Sequence, residues 1–410
     1  MGSLAQSVSL PNPWTICPGA GQGALDGDPL VAPIVQSTTF ARNGVGSTAE
    51  HQYSRVSNPS VSALERALGD LEGALPAACF STGLAAETAL FLSVLRASAH
   101  AICGRSVYGG TTRLFRQLFS DLGVEATFVD ATDLGAIAAS VRTNTKLLFV
   151  ETPANPTLEL TDIEACARIA KKAGAILAVD NTFLTPVLQR PLDLGADVTV
   201  YSTTKFIEGH SVATGGSLVT RDESLLQRIR FIRKCTGAIQ SPFNAWLTLN
   251  GLRTLPLRIE RQSDNAREIA HWLSAQPGVS AVHYPLLSCA RTRSLASKQH
   301  LGRDGAVVSF EVAGGLRAAQ AFARRLKRCA LVEHVGSTQT LITHPASMTH
   351  ADVPQSQRAE CNVTDGLLRL SVGLEPARDI IADLEQALAF ASFATTLTTN
   401  AKEATPCATR

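Results

Sequence analysis

No pair of the nine cysteines is spaced as Cys-x-x-Cys, and their odd, scattered distribution argues against a disulfide framework or a thiolate zinc centre. The expectation is a reducing compartment and no metal site. Basic runs are equally scarce. The formal net charge is +2, and the local cluster Arg325-Leu-Lys-Arg328 reads as a solvated helix face, so the chain lacks the footprint of a nucleic-acid binder. No apolar run reaches the length of a membrane span. The amino terminus, Met1-Gly-Ser-Leu-Ala-Gln6, has neither the basic region nor the long apolar stretch of a signal peptide, and Gln6 stands where a myristoylation signal needs Ser or Thr. Internal repeats and low-complexity blocks are absent too. What remains is a chain of 410 residues, 45% hydrophobic and 18% charged, with globular proportions and a cytoplasmic location expected. That length suffices for a large α/β domain and a smaller second one.

The most informative stretch is Val198-Thr-Val-Tyr-Ser-Thr-Thr-Lys205-Phe-Ile-Glu-Gly-His210. A β-branched apolar run ends in hydroxyl residues and a single lysine, which predicts a strand delivering Lys205 to the edge of a sheet, where sites lie in open α/β folds. Ser202 and Thr204 are hydroxyls suited to a phosphate. Upstream, Ala175-Ile-Leu-Ala-Val-Asp180 is another apolar run, ending in an acid. A lysine able to form a Schiff base, an acid able to face a pyridinium nitrogen and hydroxyls for a phosphate together make a pyridoxal phosphate (PLP) set. Each residue alone is unremarkable; the surrounding loops give the set its weight.

Ala77-Ala-Cys-Phe80, Ser81-Thr-Gly83 and a helical run from Leu84 to Leu95 read as strand, tight turn and helix, a ready anion site that adds a phosphate cradle. In Ser106-Val-Tyr108-Gly109-Gly110, two glycines after an aromatic residue allow a sharp turn and leave the ring free to stack on a planar ligand. The strand Lys146–Val150 ends in Glu151-Thr-Pro153-Ala-Asn155-Pro156, where prolines stiffen a loop from which Asn155 can reach ring substituents. In an extended segment Tyr53 and Arg55 point the same way and together can grip an anion. Strands alternating with helices, each strand ending in a polar loop, predict a mostly parallel sheet. Residues 1–60 read as an arm unable to form a core alone, expected to lie across a neighbouring subunit, 61–255 as the larger domain, and 256–410 as a smaller α/β domain. In the last of these Asp379 is expected to cap a final helix, with a loose polar tail from Thr395.

These motifs resemble the Cys/Met-metabolism family of PLP enzymes, which includes cystathionine γ-synthases, γ-lyases and β-lyases, methionine γ-lyases and O-acylhomoserine sulfhydrylases. The resemblance runs from about Pro33 to Phe390 and includes Tyr53-Ser-Arg55, Phe80-Ser-Thr-Gly83-Leu84, Val107-Tyr-Gly-Gly-Thr111, Glu151-Thr-Pro-Ala-Asn155, Val179-Asp-Asn-Thr-Phe183, Tyr201-Ser-Thr-Thr-Lys205, His344-Pro-Ala-Ser-Met-Thr-His350 and Leu368-Arg-Leu-Ser-Val-Gly-Leu-Glu375. It implies PLP fold-type I (aspartate aminotransferase-like) and a homotetramer, a dimer of dimers whose sites combine two chains. Lys205 would carry PLP and then shuttle protons, Asp180 would keep the pyridine nitrogen protonated, and Tyr108 would stack on the ring and serve as a base. Gly83 and Leu84 amides, Ser202 and Thr204 would bind the phosphate, joined by Tyr53 and Arg55 of a neighbour. Asn155 and Arg369 would take the substrate α-carboxylate.

Within the family, Gly110 stands where the methionine γ-lyases carry a cysteine, while Glu333 and Arg113 match positions typical of the cystathionine enzymes. Glu333 would bind a distal amino group. The chain also departs from the pattern. His334-Val335-Gly336 replaces Ser-Leu-Gly, Ser337-Thr338-Gln339 replaces a stretch ending in Glu, and Ile16-Cys17-Pro18-Gly19 replaces Ile-His-x-Gly. The histidine brings a larger, titratable side chain to the substrate rim. The resemblance therefore implies γ-replacement on an O-activated homoserine, with cysteine or a carbon or amine compound as nucleophile. The alternative is a γ- or β-eliminating lyase that yields a 2-oxo acid and ammonia.

Overall fold

A computed structural model describes residues 12–23, 25–351, 355, 358 and 361–403. The Met1–Gln6 terminus and the end of the tail expected from Thr395 lie outside them. Seven strands form the first sheet: β1 (Ala78–Phe80), β2 (His100–Gly104), β3 (Glu125–Val129), β4 (Thr145–Glu151), β5 (Ile176–Asp180), β6 (Val198–Tyr201) and β7 (Gly216–Thr220). Their spatial order is β1-β7-β6-β5-β4-β2-β3, and β7 alone runs against its neighbours. The mostly parallel sheet expected from the alternating pattern is present, with the PLP fold-type I architecture. A second sheet, β8 (Val279–His283), β9 (Val307–Val312), β10 (Ala330–Leu331), β11 (Leu341–Thr343) and β12 (Leu367–Ser371), has the order β10-β11-β12-β9-β8 and is mainly antiparallel.

The central strands are apolar in consecutive positions because both of their faces are covered. Leu148, Val150, Leu177 and Val179 point into one core with Leu64 and Leu68 of the helix Pro59–Glu72. Leu147, Phe149, Ala178, Val198 and Val200 point into the other, with Leu90 and Phe91 of the helix Gly83–Val94. Such strands satisfy their backbones within the sheet, so polar side chains collect at their carboxyl ends, and there a buried network ties three strands together. Gln189 Nε2 donates to Thr152 O beyond β4 (2.9 Å) and to Asn181 Oδ1 beyond β5 (3.0 Å). Asn181 Nδ2 donates to the hydroxyl of Tyr201 at the end of β6 (3.1 Å), and that hydroxyl donates to the Glu72 carboxyl.

Several expectations need correction or closer placement. The final helix spans Ala377–Glu403, so Asp379 lies inside its first turn, where an acid suits the helix dipole, and is not the cap. The helix also continues past Thr395, where a loose tail was expected: residues 377–403 contain no proline or glycine to stop it. The start of the arm rests on its own chain. Trp14 Nε1 donates to Glu260 Oε1 (2.9 Å), Arg253 Nε to Pro18 O (3.1 Å) and Trp246 Nε1 to Ala32 O (2.8 Å).

Burial pushes the Glu72 carboxyl up from 4.5 to about 7, with the Tyr201 hydrogen bond acting the other way. A raised carboxyl stabilises the folded state fully below pH 4.5, and that stability is lost as pH rises through about 7. Glu72→Gln keeps an oxygen for Tyr201 and removes the ionisation. We expect thermal melts to show the variant gaining on the parent between pH 5 and pH 8, by at most about 3 kcal/mol.

Candidate active site

The ends of β4, β5 and β6 and the turn before β11 enclose a cavity of about 570 Å³. Of the residues singled out in the sequence, Gly83, Leu84, Tyr108, Asn155, Asp180, Ser202, Thr204, Lys205, Glu333, His334 and Arg369 all line it. Residues spread over nearly 300 positions converge because parallel strands deliver Glu151 and Asp180 side by side in register, and β12 carries Arg369 in from the second sheet. Tyr53 and Arg55 do not line this cavity. Tyr53 is exposed, and Arg55 stacks over its ring (5.3 Å) while donating through Nη1 to Lys234 O (2.9 Å).

Close packing of backbone makes the cradle. Thr82 caps the helix Gly83–Val94 by accepting from Ala85 N (3.0 Å), so the first-turn amides open toward the cavity wall formed by Ser202. A Cβ at Gly83 would stand 2.9 Å from Ser202 Cβ, which makes glycine necessary for this approach. A Cβ at Gly110 would lie 2.5 Å from the Tyr108 ring and 3.0 Å from Leu84, so the second glycine of the pair is what leaves the ring its place. The Thr204 hydroxyl is engaged with Gly215, donating to its carbonyl (3.0 Å) and accepting from its amide (2.9 Å).

Opposite charges share this water-poor space. Burial, reinforced by the nearby Arg369 cation, pushes the Lys205 amine down from 10.5 to about 8, so an appreciable fraction is the neutral nucleophile near neutral pH. Burial raises Asp180 to about 6, against the pull of its hydrogen bonds with Thr182, whose amide donates to Oδ1 (2.8 Å). A cationic ring nitrogen beside Asp180 would reverse that rise. Arg369 is fully buried. Its Nη1 donates to Asn155 Oδ1 (2.7 Å) and its Nη2 to Thr343 Oγ1 (3.0 Å) and His334 O (3.2 Å), while its Nε has no partner among the described residues. None of the ion pairs among the described residues reaches it. A buried guanidinium without a carboxylate is set up for an anionic ligand.

Two acids were not recognised as site residues in the sequence. Glu151 accepts from Tyr108 N (2.8 Å) and Asn155 N (3.1 Å), so one buried carboxyl holds two loops of the site. Burial, with Asp180 nearby, pushes it well above the usual carboxylate range. Glu87 accepts from Thr111 Oγ1 (2.7 Å) and is pushed up to about 8 by burial and by Asp180. Glu151 ends an apolar strand, a position the sequence marks, whereas Glu87 lies within the helix Gly83–Val94, where nothing local marks the face it occupies. Among the described residues there is no metal-binding cluster of histidine, cysteine and acids and no helix long and apolar enough to cross a membrane.

The lysine, the paired acid, the ring-facing tyrosine and the amide cradle fit PLP, and the fold and site together define a PLP enzyme of fold type I. Residues 20–389 match the family model described as Cys/Met metabolism PLP-dependent enzyme. A cystathionine gamma-lyase of Bacillus subtilis (strain 168) is 40% identical over 370 residues, 89% of this chain and 97% of the relative. A cystathionine gamma-synthase of Mycobacterium leprae (strain TN) is 43% identical over 357 residues, 87% of this chain and 91% of the relative. A crystal structure of cystathionine gamma synthase from Xanthomonas oryzae pv. oryzae, in complex with aminoacrylate and cysteine, superposes with a TM-score of 0.90 at 39% identity, covering 93% of this chain and 98% of that one. The chain belongs to the Cys/Met-metabolism family of PLP-dependent enzymes.

The Gly110 contact is open to a direct test. Gly110→Ala should displace the Tyr108 ring and weaken PLP retention, measured by dialysis against absorbance, by about tenfold, with the melting temperature of the apoprotein nearly unchanged.

Proposed function

We propose that this enzyme carries out γ-replacement on an O-activated homoserine. The observation behind this reading is that one cavity brings together the buried Arg369 guanidinium, which no ion pair among the described residues reaches, the Lys205 amine and the exposed Glu333 carboxylate. An amino acid seated with its α-carboxylate on Arg369 and Asn155 places its Cα and Cβ near the Lys205 amine and its γ-substituent toward Glu333. PLP, when bound, supplies an electron sink for the pair left by a departing proton. Lys205 then removes and returns protons between Cα and Cβ, a task suited to an amine depressed to about 8. Asp180 would keep a proton on the ring nitrogen, Tyr108 would cover the ring, and Gly83, Leu84 and Ser202 would seat the phosphate, joined by Thr204 only if its hydroxyl leaves the Gly215 carbonyl. Loss of the γ-acyloxy group makes room for a nucleophile, and Glu333 favours one that carries an amino group, with cysteine the first candidate.

A second reading, γ- or β-elimination to a 2-oxo acid and ammonia, draws on relatives that bear the lyase name and on the same residues. Mass spectrometry of products from O-acetyl- or O-succinylhomoserine, with and without cysteine, separates the two. Cystathionine formed only when cysteine is present supports replacement; 2-oxobutyrate in both reactions, with no adduct from cysteine or from a panel of carbon and amine acceptors, overturns it. Lys205→Ala should abolish turnover while some PLP remains bound.

We also place Tyr53 and Arg55 at a neighbouring subunit's phosphate site, because they lie outside their own chain's cavity and the arm displays Leu25, Leu30 and Val31 to solvent. A dimer of dimers built this way, with an arm of 1–60, a PLP-binding domain of 61–255 and a C-terminal domain of 256–410, gives each site residues from two chains. No disulfide joins the described cysteines, in keeping with a cytoplasmic location. Tyr53→Phe combined with Arg55→Ala should weaken PLP affinity by roughly a hundredfold, from the loss of two phosphate contacts; unchanged affinity would remove the cross-subunit assignment.

A further inference from the structure

The residue nearest the reactive amine that the proposed mechanism leaves without a task is His334. Its Nδ1 lies 3.4 Å from Lys205 Nζ. Three backbone features hold the ring there. The His334 carbonyl accepts from Arg369 Nη2 (3.2 Å), and the Gly336 amide donates to Ser371 Oγ (2.9 Å). Gly336 itself, at φ +84°, sits so tightly on the Lys205–Phe206 backbone that a Cβ would stand 2.4 Å from Phe206 N. The turn carrying His334 is thus docked on the segment carrying Lys205, which fixes the spacing of the two backbones from which the side chains meet.

The charged groups around the pair settle which atom carries which proton. Lys205 and Arg369 are cations beside the ring; Glu333 adjoins it on the same turn, and Tyr108, Asp180 and Glu151 face the cavity from the other strand ends. Burial first, then Lys205 and Arg369, push the imidazole down to about 4, so it is neutral at physiological pH. A protonated amine can only donate, so Nδ1 is the acceptor and the ring proton belongs on Nε2. Nε2 is buried with no partner among the described residues.

We propose that His334 is the positioning residue of Lys205: its neutral imidazole accepts a hydrogen bond at Nδ1 from the lysine nitrogen, favours the protonated form, and holds the released amine where it meets the substrate carbons. This rests on the reading of Lys205 as the proton carrier. Asparagine can present an acceptor near the position of Nδ1, whereas glutamine reaches toward that of Nε2, so the two amides separate the hydrogen bond from bulk and folding.

The test is the pH profile of kcat for the holoenzyme, which reports groups of the substrate complex where the lysine amine is free, in the parent, His334→Asn, His334→Gln and His334→Ala. Loss of the acceptor should move the midpoint down by about half a unit or more in the Ala and Gln variants and leave Asn near the parent. Steady-state rates should fall about tenfold in kcat for Ala and Gln, with KM for the amino-acid substrate changed less, and Asn should recover most of the loss. An unmoved midpoint in both Ala and Gln, or an Asn variant indistinguishable from Ala, overturns the assignment. Failure of the underlying reading would look different: turnover would survive in Lys205→Ala, whatever the His334 variants do.

Discussion

The site depends on one constraint: parallel strands buried on both faces can release polar chemistry only at their ends, and those ends must be held in step. The network of Gln189, Asn181, Tyr201 and Glu72 does this. It joins the chain just after β4, just after β5 and at the end of β6 through side-chain hydrogen bonds inside the core. Glu151, Asp180 and the Ser202–Lys205 turn are the next or adjoining residues on the same strands. A shift of a few tenths of an ångström in one strand would therefore reach the reactive groups directly.

The second sheet completes the site by bringing charge that the first lacks. β12 places Arg369 deep in the cavity, and the turn before β11 places Glu333 and His334 at its rim. Mutual influence follows from proximity and burial. Arg369 helps to lower Lys205, and both lower His334, while Asp180 raises Glu151 and Glu87. An anionic phosphate and a cationic pyridine ring entering this space would each meet the complementary sign, which is why a cavity so heavily charged suits its cofactor.

Much was legible beforehand. The strand-then-polar-loop pattern revealed the parallel sheet, because strands covered on both faces are apolar throughout and their polar residues gather at one end. Lys205, Asp180, Gly83 and Tyr108, unremarkable one by one, stood out together because lysine, acid, glycine turn and aromatic ring make up one cofactor set. Glu87 did not, since a glutamate in a helix carries no local sign of the face it occupies. Asp379 and the tail were misjudged because a helix stops only where something stops it, and the segment contains neither proline nor glycine.

The sequence by itself determined most of the elements, the residues that gather at the cavity and the cofactor family, because these depend on local periodicity and on residue type in short motifs. The tertiary structure alone decided that Glu151 braces Tyr108 and Asn155 together, that Arg369 is buried without an ion pair among the described residues, and that His334 turns its Nδ1 toward Lys205. Apart from the four-residue step from Glu151 to Asn155, each of these is a contact across 35 to more than 200 residues, or an energy set by burial. Neither distance nor dielectric is written in the local order of side chains.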